Sequence, residues 1–223
     1  MNTNHTTSTA AAAGAAPERG RFARIGPDHA ASVVSVIALA FATDPVARWA
    51  FPDPHVYAQR FPEFIEAFAW GAFGSGTAFL ALGGRGAAAW LKPGSGPDED
   101  RLLDIIRQST SETIQRDLIP MLELMEAYHP NDPHWYLPMI GVDPVMQGSG
   151  IGSALLRQGL AQCDAEGSPA YLESSNPRNI PLYERFGFEI VGTIKCGAAP
   201  PLYPMVRKAR PQPHALDPLR AES

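Results

Sequence analysis

The chain has 223 residues, enough for one domain of ordinary size with a substantial core. Hydrophobic residues make up 45% and charged residues 18%, which excludes a chain disordered throughout. Eighteen Lys and Arg against 23 Asp and Glu give a net charge of −5, so the cationic field that drives nucleic-acid binding is missing and no nucleic-acid partner is expected.

Cys163 and Cys196 are the only cysteines and show no CxxC or CxxH spacing. Neither a disulfide framework nor a metal site is indicated, and a reducing cytoplasm is the expected location. The stretch 1–16 has no Lys or Arg and only an alanine run where a secretory signal would carry its leucine-rich core. Val33 to Ala42 is the most apolar run and falls well short of the roughly 20 residues a membrane span needs, so no membrane association is expected.

In chain order, residues 1–20 and 209–223 read as disordered tails around one domain, 21–208. Phe22 to Ile25 suits a short strand. Pro27-Asp28 opens an apolar helical pattern running through Val33, Ile37 and Phe41, which Asp44-Pro45 stops. A second helix is expected near 55–73. Thr77 to Leu82 and Ala87 to Leu91, joined by Gly83-Gly84-Arg85-Gly86, read as a β-hairpin. Glu99 to Ala127 returns to helical periodicity, with Pro120 expected to kink or split it. His134 to Val142 is a strand, Gly150 to Glu166 a helix and Ala170 to Glu173 a short buried strand. Asn179 to Phe186 is a short helix, and strands are expected at Glu189 to Lys195 and Leu202 to Arg207.

The informative segment is Gln147-Gly148-Ser149-Gly150-Ile151-Gly152-Ser153, between the 134–142 strand and the 150–166 helix. Backbone N–H groups at a helix start lack intrahelical partners and point along the positive dipole end, so they suit a phosphate. A P-loop requires a Lys in this turn and there is none. A Rossmann dinucleotide turn fits the Gly148-x-Gly150 spacing and an acid at Glu173, but its third glycine is Ser153, and only about 50 structured residues follow.

The pattern Gln-x-x-Gly-x-Gly resembles the acetyl-CoA pyrophosphate loop of the GNAT superfamily of N-acetyltransferases. HWYLPMIGVDP before it resembles that superfamily's splayed central strand, and Asn176, Tyr183, Gly187 and Phe188 after it resemble its Asn-x(6)-Tyr-x(3)-Gly-Phe signature. Within the superfamily, His134 to Phe188 is similar to the puromycin N-acetyltransferases, through the aromatic strand, the QGSGIGSA turn, LESSNPRN and YERFGF. The inserted helices near 99–129 depart from them.

The resemblance implies an α/β GNAT-like fold, a central mixed and mainly antiparallel sheet flanked by helices. It implies acetyl-CoA as acetyl donor and a small-molecule primary amine as acceptor, in a monomer or homodimer. The alternative is a non-catalytic acyl-CoA sensor or assembly module of the same fold. A nicotinamide-dependent reductase stands further behind.

On this reading, backbone groups of Met139, Ile140, Gly141 and Val142 hold the pantetheine and carbonyl, and Gln147, Gly148, Ser149, Gly150, Ile151, Gly152 and Ser153 hold the pyrophosphate. Asn176 and Asn179 either contact the cofactor or cap helices. Tyr183 resembles the superfamily's general acid for the leaving thiolate; a buried core tyrosine is the other account. Glu173, a carboxylate ending a buried strand, is the candidate general base, unless it forms an ion pair with Arg178 or Arg185. His134 and Asp44 follow as base candidates. An aromatic acceptor pocket is expected from Trp49, Phe51, Tyr57, Tyr128 and Trp135.

Overall fold

A computed structural model describes residues 22–26, 30–81 and 83–210. The expected tails, apart from Ala209 and Arg210, lie outside the described residues, as do Pro27-Asp28 and Leu82. Seven strands form one sheet in the order β1-β2-β3-β4-β5-β7-β6. They are β1 Phe22–Ile25, β2 Ala78–Ala81, β3 Gly86–Leu91, β4 Trp135–Val142, β5 Ala170–Ser174, β6 Glu189–Ile190 and β7 Tyr203–Arg207. Every pairing is antiparallel except β4 with β5, so the sheet is mixed and mainly antiparallel as expected.

Eight helices accompany it among the described residues: α1 Ala30–Ala40, α2 Pro45–Ala50, α3 Pro54–Phe68, α4 Trp70–Gly74, α5 Glu99–Ser109, α6 Glu112–Tyr128, α7 Ile151–Glu166 and α8 Ile180–Arg185. Strand alternation divides the core between the two faces of the sheet. Ala87, Ala89, Tyr136 and Tyr171 point to one face, where α1, α3, α5 and α6 contribute Ile37, Ile65, Ile106 and Met121. Ala88, Trp90, Trp135 and Leu172 point to the other, covered by Leu155 and Leu160 of α7 and Tyr183 of α8. β3 is buried along its whole length and three of its residues are alanine, which lets helices approach both faces.

Three expectations need correction. Asp44-Pro45 ends α1 and its following turn, but it also starts α2: Asp44 Oδ1 accepts the N–H groups of Val46 and Ala47, and Pro45 occupies the first turn, where no N–H is needed. The 99–127 segment breaks at Thr110 and not at Pro120. Ser111 Oγ accepts the Ile114 N–H, and Gln115 Nε2 donates to the Thr110 carbonyl, so side chains fix the start of α6 while Pro120 stays inside it. The strand expected at 189–195 is cut to Glu189–Ile190, followed by a single bridge of Ile194 to Leu202. The backbone at Gly192 lies under Tyr128, and a Cβ there would come within 2.4 Å of the ring.

Candidate active site

The site is made by a failure of two strands to stay together. β4 pairs with β5 only at Trp135↔Ala170 and Tyr136↔Tyr171, so from Leu137 onward the β5-facing side of β4 has no strand partner. Sequence places Pro138 at this point. Between the register pairs Ala89↔Met139 and Leu91↔Tyr136, β3 advances by two residues and β4 by three, which is a β-bulge at Leu137-Pro138. The side chains record it: Trp135 and Leu137 face the α7 side, Met139 faces the other, and Ile140 and Val142 return to the α7 side. Proline removes a donor where the ladder is already interrupted, and the bulge bends β4 away from β5.

The loop leaving β4 is tied down. Asp143 accepts the Val145 N–H on Oδ1, and its Oδ2 meets Arg85 Nη1 at 2.6 Å, which joins the end of β4 to the β2–β3 turn. Gly148 and Gly150 then adopt φ of +80° and +88°, with open space where a Cβ would stand. Backbone conformation therefore requires these two glycines, since L-residues rarely enter that region. Gly150 precedes α7 without any side-chain cap, and the first intrahelical bond runs from the Ala154 N–H to the Gly150 carbonyl. The N–H groups of Ile151, Gly152 and Ser153 thus begin a 16-residue helix with no intrahelical acceptor. Gly141 has a different reason to be glycine: a Cβ there would sit 2.7 Å from the Ala40 Cβ, so it lets α1 lie close on β4.

A cavity of about 270 Å³ fills the gap between the strands. Met139, Ile140, Gly141 and Gln147 line it from one side, and Glu173, Asn176, Asn179 and Tyr183 from the other. Val142 and residues 148–153 are outside its lining. The aromatic wall is real but differently composed from expectation. Of the five expected residues only Phe51 contributes; Phe41, Phe61, Phe64, Phe68, Tyr136 and Tyr183 supply the rest. Tyr57 is buried in the core with its hydroxyl on the Ala38 carbonyl, and Trp135 turns to the opposite face, where its indole N–H donates to Glu166. The 3- and 4-residue spacing of Tyr57, Phe61, Phe64 and Phe68 along α3 was the available signal, because it aligns these rings on one helix face.

Glu173 and Tyr183 approach the gap from opposite faces of the sheet. The Glu173 side chain is 3% exposed, and burial pushes its pKa up to about 8. The hydroxyls of Tyr136 and Tyr171 are turned toward it and oppose that rise. Even so, Glu173 Oε1 and the Tyr171 hydroxyl have no hydrogen-bond partner. Neither Arg178 nor Arg185 pairs with Glu173; its nearest cationic candidate is His129, with Nε2 3.7 Å from Oε1. Tyr183 is 6% exposed, and burial, reinforced by the negative charge of Asp44, raises its phenol well above the ordinary value. Asp44 is fully engaged, since its Oδ2 accepts from Ser175 Oγ at 2.6 Å in addition to the α2 cap. Asn176 Oδ1 accepts the Arg178 N–H and so caps the next turn, whereas Asn179 makes no capping bond.

Residues 115–188 match the model of the acetyltransferase (GNAT) family. An uncharacterized N-acetyltransferase of Schizosaccharomyces pombe is 32% identical over 115 residues, 46% of this chain and 47% of the yeast protein, so the chain spans about half the length of that relative. A Corynebacterium glutamicum protein described as histone acetyltransferase HPA2 and related acetyltransferase superposes with a TM-score of 0.63 at 24% identity, covering 86% of this chain and 98% of its own. Arylalkylamine N-acetyltransferase 2 of Aedes aegypti gives 0.60 at 12% identity, covering 85% and 99%. The chain therefore has the GNAT fold, and its segment 115–188 carries the sequence pattern of that acetyltransferase family.

Proposed function

We propose that the protein is an acetyl-CoA-dependent N-acetyltransferase that modifies a primary amine of a small molecule. One observation carries the reading: a buried carboxylate and a buried phenol, Glu173 and Tyr183, line the same cavity at the place where β4 leaves β5. The family match over 115–188 supports it, as does the resemblance of 134–188 to puromycin N-acetyltransferases.

The residues present fit acetyl-CoA. The unpaired side of β4 offers main-chain groups of Met139, Ile140, Gly141 and Val142 to the pantetheine, and the uncapped start of α7, from Gln147 to Ser153, offers N–H groups to the pyrophosphate. Asn176 and Asn179 stand beside this path. When bound, acetyl-CoA supplies an activated acetyl group. Glu173 takes a proton from the acceptor ammonium, for which a carboxylate with a pKa near 8 is well matched. Tyr183 keeps its proton through neutral pH and lends it to the leaving sulfur. The phenylalanine walls favour an acceptor with an apolar or aromatic body.

The test is release of free thiol from acetyl-CoA with a panel of amines that includes puromycin, arylalkylamines, polyamines and amino acids. The expected result is turnover with at least one amine, best for those with apolar bodies. Acetyl-CoA binding with no amine above the hydrolysis background would favour the sensor alternative. Binding of NADPH and not acetyl-CoA would overturn the reading.

A further inference from the structure

A second cavity, of about 820 Å³, lies on the α5–α6 side of the sheet and shares Phe68, Leu122, Met125 and Tyr136 with the first. Four segments enclose it: the β3–α5 loop 92–97, the start of α5, the last turns of α6 and the α6–β4 connection 130–134. Its composition is graded. Phe68, Leu91, Leu102 and Tyr136 are buried and form an apolar floor that includes two of the shared residues. Glu99, Glu123, Glu126 and Asp132 are exposed and stand at the rim. These four carboxylates face Lys92 and the imidazoles of His129 and His134, and none of them is in an ion pair with another described residue. Burial brings the His129 pKa down to about 4, so at neutral pH that ring adds no positive charge. The rim is net acidic.

A separate feature marks where this cavity meets the first. Glu173, which lines the first cavity, has a side chain 3% exposed, and its Oε1 has no hydrogen-bond partner. That oxygen lies 3.7 Å from Nε2 of His129, a residue on the wall of the second cavity. A buried carboxyl oxygen without a donor is costly, and an amine presented from the shared wall supplies the missing N–H. The two cavities are also coupled electrostatically: burial raises the Glu173 pKa most, and the negative charge of Glu126 adds to the rise. From one end to the other they offer a polar end at Glu173, an apolar passage past Phe68, Leu122, Met125 and Tyr136, and an acidic rim. An apolar chain with a cation at each end matches all three. A monoamine leaves the rim carboxylates unpaired, and an acceptor with a distal carboxylate meets like charge there.

We infer that the second cavity is the far subsite for the acceptor, and that the acceptor is an elongated primary amine with a second cationic group at the other end of an apolar chain. The inference rests on the reading of the first cavity as the site of acetyl transfer. One amine reaches Glu173 while the distal cation stays among Glu99, Glu123, Glu126 and Asp132. Each exposed carboxylate contributes little alone, so recognition is the sum of several contacts and is screened by salt.

Matched acceptors test it on the full chain. Diaminooctane and octylamine share one apolar chain and differ in the far charge. In thiol-release assays kcat/KM for diaminooctane should exceed that for octylamine about tenfold, beyond the statistical advantage of two equivalent amines and mostly through KM. The preference should shrink as ionic strength rises. In the double variant Glu123→Gln/Glu126→Gln it should fall close to one, with acetyl-CoA affinity unchanged; both side chains are exposed, and the unfolding midpoint checks that the fold is kept. Backbone NMR without acetyl-CoA gives a second readout, in which diaminooctane should shift resonances of residues 92–97 and 122–132. Equal or lower kcat/KM for diaminooctane, a preference that the double variant retains, or shifts that avoid both segments overturns the far subsite and leaves acetyl transfer standing. Turnover of other amines but not of diaminooctane does the same. Thiol release at background with every amine overturns acetyl transfer and the subsite with it.

Discussion

At Tyr183 and Glu173, burial raises the pKa of both groups, and the same shift suits the two different roles proposed for them. The phenol is made harder to ionise, as the proposed general acid requires, and the carboxyl is made more basic, as the proposed general base requires. Tyr183→Phe keeps the ring against Phe188 and removes only the hydroxyl. We predict a fall in kcat of about tenfold or more with acetyl-CoA affinity nearly unchanged, measured by steady-state kinetics and calorimetry. For Glu173 the sign follows from its charged form. As the proposed base it acts when ionised, so its contribution to kcat/KM should rise with pH to about 8 and level off above. Stability runs the other way: the folded pKa of about 8 exceeds the ordinary 4.5, so the folded state holds a proton that the unfolded chain has lost. Wild-type stability should therefore fall as pH rises between these values, and Glu173→Gln should lack this fall. A difference in unfolding midpoint, variant minus wild type, that did not increase from about pH 5 to about pH 9 would contradict the assignment. Both residues were named from the YLESSNPRNIPLYERFGF segment and both line the cavity, but the proximity of His129 to Glu173 was not legible. His129 is 44 positions away at the end of another helix, and nothing in local spacing brings an α6 terminus to β5.

Secondary-structure elements carry their own information in their glycines. Gly150 needs a positive φ, but its missing Cβ faces open space. Gly150→Ala should therefore leave the core intact and strain the turn at the head of α7, weakening acetyl-CoA binding by about tenfold, as roughly 1–2 kcal/mol of left-handed strain implies. Gly159 is the reverse case. It sits inside α7, and a Cβ would come within 2.1 Å of the Trp90 indole. Gly159→Ala gains helix propensity but overpacks a buried Trp, and we predict a net loss of about 1–3 kcal/mol in chemical denaturation. The glycine-rich turn was readable because turn chemistry is local. Pro120 misled for the same reason: a proline signals a local defect, whereas Ser111 and Gln115 had already fixed the helix boundary nine residues upstream of it. The aromatic wall required tertiary knowledge, since helix faces become pocket walls only once α3 is laid across the open strands.

Among the described residues the sheet has a four-strand half, β1 to β4, and a three-strand half, β5, β7 and β6, joined by two register pairs. Other ties cross the gap from the helices: Asp44 at the head of α2 binds Ser175 beyond β5, over a sequence separation of 131 residues. A ligand that bonds to the open side of β4 and to the start of α7 would fill the space between the halves. It would then stabilise the native state alone, because the unfolded chain has no such gap. Mass action gives about 2.7 kcal/mol at a ligand concentration one hundred times Kd, and the effect grows logarithmically. Acetyl-CoA should accordingly raise the thermal midpoint in a concentration-dependent way, and NADPH should not. Hydrogen exchange locates the gain. Protection should rise along Leu137 to Val142 and Gly148 to Ser153, while β1 and β2, which lie two or more strands from the gap, stay unchanged. A rise in midpoint with protection spread evenly over all seven strands would place the ligand elsewhere and remove the splayed strands from the binding site.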